Sequence, residues 1–162
     1  MDNPADSPRE VAERLYQAFA RLDGAAMTAC YHAECTFSDP VFVLLKGAEV
    51  GAMWRMLCSR ARDLKLEFSD VEAGNDAGRA HWEARYTFTL TGLPVHNVIE
   101  AAFSFKEGLI LRHVDRFDLW RWAGQAMGVK GKLFGRLPMV QNKIREQAKR
   151  GLEKFMKEEK QT

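Results

Sequence analysis

No run of about 20 apolar residues occurs in the chain, so no segment reads as a helical membrane span. Its three cysteines, Cys30, Cys35 and Cys58, are odd in number and form no Cys-x-x-Cys pair. That argues against a disulfide framework and a zinc knuckle, and for a reducing compartment. A formal charge of only +2 argues against a general nucleic-acid binder. The opening "MDNPADSPRE" lacks the basic start and apolar core of a signal peptide, so a cytoplasmic protein is expected. The glycine-rich "GVKGKLFGRLP" has the spacing of neither a P-loop nor a dinucleotide fingerprint, and no strand pattern precedes it. Neither a cofactor nor a metal is expected.

What is present suits one globular domain: 162 residues, 46% hydrophobic and 28% charged. The charge is uneven. Residues 130–162 carry ten Lys/Arg against four Asp/Glu, or +6, which leaves −4 on residues 1–129. "SPRE" predicts a helix start: Ser7 caps, Pro8 takes the first helical position and Glu10 completes a capping box. Val11, Leu15, Phe19 and Leu22 then form one stripe up to Asp23-Gly24. A short helix over about 25–31 and a third over 48–62, burying Val50, Met53, Trp54 and Leu57, flank an extended piece around Phe37 and Asp39.

After Leu64 the period falls from 3.6 to 2, and "GNDAG", "TGLP" and "KEG" separate four strand-like runs. Breaks this short make hairpins, hence an antiparallel sheet. In the second run Trp82, Ala84, Tyr86, Phe88 and Leu90 share the covered face, and His81, Glu83, Arg85, Thr87 and Thr89 the polar one. The expected fold is α+β, with helices on one face of a curved antiparallel sheet. Residues 1–127 are expected to form the domain, 128–138 a linker, and 139–162 a basic amphipathic helix.

This order, with "LYQAFARLDGAAMTACYHAECTFSDPVF" and "AFSFKEGLILRHVDRFDLW", resembles the nuclear transport factor two-like superfamily over residues 8–123. The closest branch is SnoaL-like, which includes ketosteroid isomerase, limonene epoxide hydrolase and polyketide cyclases. The resemblance implies a cone-shaped sheet wrapped by helices around an apolar pocket, usually in a homodimer. "SDPV" is similar to the isomerases' "EDPV", which places Asp39 at their general base. Their oxyanion-hole tyrosine falls on Leu15, next to Tyr16, and their protonated acid on Ala101, next to Glu100. Loss of both donors argues against steroid isomerisation. "VDRFD" resembles a segment of the epoxide hydrolase, with Asp115 at a catalytic aspartate. Arg85 is similar to that enzyme's arginine, but Thr87 replaces its second acid. Cyclases of this branch use a final-strand aspartate, again Asp115.

Each candidate has a plainer reading beside it. Asp39 precedes Pro40, and Asp-Pro commonly starts a turn. His113, Asp115 and Phe117 share one strand face by alternation, inside the cone if the resemblance holds. There Asp115 is an acid/base with His113 as helper, or half of a structural ion pair. "HVD" lacks the second inward histidine of an iron triad. Asn97 is a polar anchor for a substrate oxygen or a bond to its neighbours. Trp82, Tyr86, Phe88 and Phe103 line the pocket or are plain core. Tyr16 and Tyr31 are weaker phenolic donors. Val140, Ile144, Ala148, Leu152 and Phe155 form a stripe suited to docking on the body or on a partner subunit, with weak membrane contact as the sharper alternative.

Two functions are carried forward. One is cofactor-free acid/base catalysis, of isomerase, cyclase or hydrolase type, on a small, mostly apolar oxygenated molecule. Asp115 and Asp39 would move the proton. The other is a non-catalytic module that binds a hydrophobic ligand or dimerises.

Overall fold

The computed structural model describes residues 6–162. Twelve elements follow one another: α1 (Pro8–Ala20), α2 (Gly24–Thr28), β1 (Tyr31–Ser38), β2 (Leu45–Lys46), α3 (Ala48–Arg60), β3 (Lys65–Ala73), β4 (Ala77–Phe88), β5 (Leu93–Lys106), β6 (Leu109–Arg116), α4 (Leu119–Ala126), α5 (Val129–Phe134) and α6 (Pro138–Glu159). Six strands make one curved, unclosed sheet in the order β2-β1-β6-β5-β4-β3.

α1 begins as its residues require. Ser7 accepts from the Glu10 amide, the Glu10 side chain accepts from the Ser7 amide, and Pro8 opens the helix. Val11, Leu15 and Phe19 are buried, and the helix ends before Leu22, which takes a positive φ of 58°. α2 is shorter than the sequence suggests, because the Ile110 amide bonds Cys30 O and draws Tyr31 into β1. α2 and α3 pack almost backbone to backbone. A Cβ at Gly24 would meet Arg55 Cα at 2.7 Å.

The three hairpins of β3 to β6 form antiparallel pairs, but β1 lies parallel to β6. The antiparallel hairpins expected from the short breaks are present, and β1 adds one parallel pair. β1 and β6 are separated in sequence by α3 and four strands, and such a crossover delivers a strand in either direction. Alternation on β4 holds as far as Phe88, with Trp82 and Ala84 buried and Arg85 and Thr87 exposed. Leu90 departs from the expected covered face: it falls in the turn after β4 and is 80% exposed. β5 starts at Leu93, inside the stretch read as a break. Past β6, Asp118 caps α4, a helix the sequence reading did not separate from the tail, and the glycine-rich 128–138 stretch holds α5.

α6 docks on α3. Leu152 is buried, Ala148, Phe155 and Met156 pack on the core, and Arg55 holds Glu159 through two bonds of 2.8 and 2.9 Å. Nearer its start, Arg145 Nε donates to Pro40 O at 2.9 Å, which ties the helix to the Asp39-Pro40 segment. No helix among the described residues is long and apolar enough to cross a membrane.

Candidate functional site

The concave face of the sheet carries a chain of buried polar groups. β6 turns His113 and Asp115 inward, and His113 faces Phe37 on β1 and Phe103 on β5 by register. His113 is 0% exposed and Asp115 3%. Trp54 Nε1 donates to Tyr31 Oη at 2.8 Å, Tyr31 Oη meets His113 Nδ1 at 2.8 Å, and His113 Nε2 meets Asp115 Oδ1 at 2.8 Å. Trp82 Nε1 donates to the same Oδ1 over a longer 3.3 Å.

The donor inventory fixes the direction of this chain. An indole N–H only donates, so Tyr31 accepts from Trp54 and must give its single proton to His113 Nδ1. In a neutral ring Nδ1 then accepts, which assigns the imidazole proton to Nε2, pointing at Asp115. Burial first, then the charge of Asp115, holds the Tyr31 phenol well above its ordinary range, so it stays a donor. Each link polarises the next, and the chain ends on a carboxylate oxygen that accepts from two sides.

Asp39 forms a second acidic point at the end of β1. Its Oδ1 accepts from the Val41 and Phe42 amides at 2.7 and 2.6 Å, and its own amide donates to Phe42 O. This is the Asp-Pro turn expected from the sequence. The residue keeps a window on solvent, yet burial of the carboxyl pushes its pKa up to about 7. Hydrogen bonds from Phe42 and Val41 oppose that rise, and the negative Asp115 adds to it. The turn and the raised pKa therefore coexist at Asp39.

The remaining candidates divide by position. Trp82 and Phe103 are buried, and Tyr16 stacks on Phe68 at 5.4 Å and tilts against Trp82 at 5.8 Å. The Tyr16 hydroxyl, buried on α1, has no hydrogen-bond partner among the described residues. Burial, then Asp115, raises its pKa well above the ordinary phenol range. Tyr86, Phe88 and Trp122 gather at the other end of the sheet. Trp122 Nε1 donates to Tyr86 Oη at 2.8 Å, and Phe88 meets the Trp122 ring edge-on at 5.3 Å. Asn97 pairs with Ala84 on the inward parity of β5, half-buried, and its side-chain amide makes no hydrogen bond among the described residues. Phe117 packs against the core just past β6.

Trp54, Tyr31 and Trp122 carry more than the sequence suggested. Trp54 reads as a core residue of a helical stripe, and nothing in that stripe says where its N–H points. Tyr31 is obscured by its apparent place in α2. Trp122 lies in a helix that the alternation of β6 gave no reason to start.

Other chemistries fit less well. Burial pushes the Cys30 and Cys58 thiols up to about 11, which disfavours the nucleophilic thiolate. Among the described residues no group of three or more His, Cys, Asp or Glu is arranged to hold a metal. Two surface hollows, of about 340 and 440 Å³, lie beside Glu72 and Arg79 at the outer end of β3 and β4, away from Asp115 and Asp39.

No curated protein matches the chain significantly. Solved structures do. An epoxide hydrolase of the limonene type from M. tuberculosis shares 15% identity at a TM-score of 0.62, covering 81% of this chain and 96% of its own. A protein of ketosteroid isomerase-like fold from Catenulispora acidiphila shares 12% at 0.64, covering 75% and 95%. A proposed polyketide cyclase from Xanthomonas campestris shares 18% at 0.62, covering 74% and 96%. At these identities the likeness concerns the fold. The SnoaL-like domain family matches residues 12–113, a stretch that holds Asp39, Tyr31, Trp54 and His113 and stops just short of Asp115. With a curved sheet of this topology and most of its length matched, the chain belongs to the SnoaL-like family of the nuclear transport factor two-like fold.

Proposed function

We propose that the protein is a cofactor-free acid/base enzyme acting on a small, mostly apolar oxygenated molecule. The observation that carries this reading is the one-way hydrogen-bond chain from Trp54 through Tyr31 and His113 to Asp115. A chain whose links all lead to Oδ1 of one carboxylate fixes its orientation and leaves Oδ2, which makes no hydrogen bond among the described residues, to take a proton. Asp115 is then the base, His113 positions it, and Tyr31 fixes the tautomer of His113. Asp39, with a pKa of about 7, is partly protonated at neutral pH and serves as the acid. Two carboxyl groups in environments this different can divide the acid and base roles between them. Asn97, with a free amide on the inward face, is the anchor for a substrate oxygen, and Trp82, Tyr86 and Phe103 supply apolar wall. The epoxide hydrolase and the proposed cyclase among the similar structures are consistent with this class of chemistry.

The test uses two probe panels. Apolar cyclic ketones in D2O report deuterium exchange next to the carbonyl, and apolar epoxides in 18O-labelled water report ring opening. Turnover by the wild type that disappears in Asp39→Asn/Asp115→Asn is the expected result. Inactivity of the wild type on both panels, or full activity of the double variant, would overturn the assignment.

The second reading is a non-catalytic module that binds a hydrophobic ligand or dimerises. It is favoured by how closely the inward aromatics pack, Phe103 lying 4.5 Å from the His113 ring and Phe37 5.4 Å from Trp54. Mass spectrometry of molecules released on denaturation separates the two. A reproducible ligand left unchanged on incubation supports binding over catalysis.

A further inference from the structure

α5 is built inside out. Its buried contacts are made by glycine: a Cβ at Gly131 would collide with Ala123 O of α4, and one at Gly135, just past the helix, would lie 3.1 Å from both the Ala123 methyl and the Trp120 ring of α4. Only glycine lets this helix lie so close to α4, and the contact is reinforced by Trp120 Nε1 donating to Lys132 O at 3.1 Å. Arg136 adds a guanidinium stacked 3.8 Å above the Trp120 ring. With glycine facing inward, the large apolar side chains face outward. Val129 is 70% exposed, Leu133 68%, Phe134 50%, Leu137 45% and Met139 76%. An ordinary surface helix has the reverse arrangement. These five fall within eleven consecutive residues, and residues 128–145 contain five Lys/Arg and no Asp or Glu.

We propose that α5 and the start of α6 form a docking surface for an anionic lipid membrane. The combination selects the occupant. Exposed bulky apolar groups mark an interaction surface. Interleaved cations without a single acid require that the other side be negative. A second copy of the chain across a twofold axis would bring the same five cations face to face. A bilayer with acidic headgroups satisfies both requirements: Leu133, Phe134 and Met139 enter the headgroup boundary while Lys130, Lys132 and Lys143 stay among the phosphates. The apolar stripe of α6 itself is already engaged with α3, so the contact is made by the glycine-packed corner and not by that stripe.

Vesicle flotation with the full-length protein tests this. Phosphatidylcholine vesicles containing roughly 30% phosphatidylglycerol should carry the protein at about 150 mM salt, and pure phosphatidylcholine vesicles should not. Leu133→Ser/Phe134→Ser/Met139→Ser and Lys130→Gln/Lys132→Gln/Lys143→Gln should each weaken binding at least about tenfold. Both triple variants should keep the wild-type melting temperature, because the altered side chains are exposed. Failure of the wild type to float with acidic vesicles would overturn the proposal, as would full binding by the Ser variant. So would sedimentation showing a wild-type oligomer that the Ser variant dissociates, since the patch would then belong to a second copy.

Discussion

The two faces of the sheet carry histidine–carboxylate groups of similar composition in opposite settings. On the inner face His113 and Asp115 are sealed, 0% and 3% exposed, and every bond in their chain has one direction. On the outer face His81 bonds Glu100 at 2.5 Å and Glu83 at 3.0 Å, while His96 reaches Glu83 at 2.6 Å. Those groups are water-accessible, with 24% of the His81 side chain and 68% of Glu100 exposed. The register of β4 on β5, which sets His81 opposite Glu100, makes the outer cluster a cross-strand pair of the ordinary kind. Outside, water can replace any lost partner. Inside it cannot, so the same residue types become stability-critical and directional.

The sharpest way to break that comparison is Asp115→Ala. It strands the N–H groups of His113 and Trp82 in the core and should cost about 3–5 kcal/mol by urea denaturation. A cost near zero would mean that water fills the gap and that the inner face is not sealed.

Asp39 stands between the two extremes, and its effect is seen in the pH dependence. Its folded pKa of about 7 lies above the ordinary carboxylate value, so the native state holds the proton more tightly than the unfolded chain. Stability from this group is complete below about pH 4 and is lost as pH rises toward 7. Asp39→Asn keeps an oxygen for the Val41 and Phe42 amides but cannot ionise. The stability difference between variant and wild type should therefore grow by about 3–4 kcal/mol from pH 4 to pH 7.5. A constant difference across that window would place the carboxyl in water.

Tyr31→Phe tests the direction of the inner chain. It leaves Trp54 Nε1 without an acceptor and His113 Nδ1 without a donor, at a cost of about 1–3 kcal/mol. In NMR of the imidazole nitrogens, wild-type His113 should be protonated on Nε2, and the variant should show tautomer exchange. A wild-type ring protonated on Nδ1 would reverse the chain.

The smallest effect belongs to the outer face. His81→Gln should change stability by less than about 1 kcal/mol at moderate salt. The bonds to Glu83 and Glu100 raise the His81 pKa, so what stability the pair gives is present below the ordinary histidine range and is lost as pH rises through the raised value. A loss comparable with that of Asp115→Ala would remove the distinction between the faces.

Much of this architecture is legible in the residues. Ser7, Pro8 and Glu10 specify the start of α1 locally, without help from the rest of the chain. Because one polypeptide strand has only two sides, alternation read from His81 to Leu90 and from His113 to Phe117 sets the faces of β4 and β6, failing only where β4 ends before Leu90. Alternation puts His113 and Asp115 on one face, and the family resemblance implies that this face is the inner one. Asp39 as both a turn residue and a perturbed acid was also legible, as a pair of alternatives that turned out to be compatible.

Tertiary structure decided what local pattern cannot encode. The parallel pairing of β1 with β6 depends on a crossover through α3 and four strands, and it brings Tyr31 to within 2.8 Å of His113. The direction of the proton chain depends on Trp54, 23 residues further on in a helix, because hydrogen-bond donors have orientation only in space. Likewise α5 turns its leucine and phenylalanine outward because Gly131 and Gly135 must touch α4, a requirement visible only once the two helices are packed. Sequence by itself determined which residues alternate, cap and turn, since those are short-range geometric constraints. Which buried polar groups meet, and which apolar face is left uncovered, was set by contacts between distant segments.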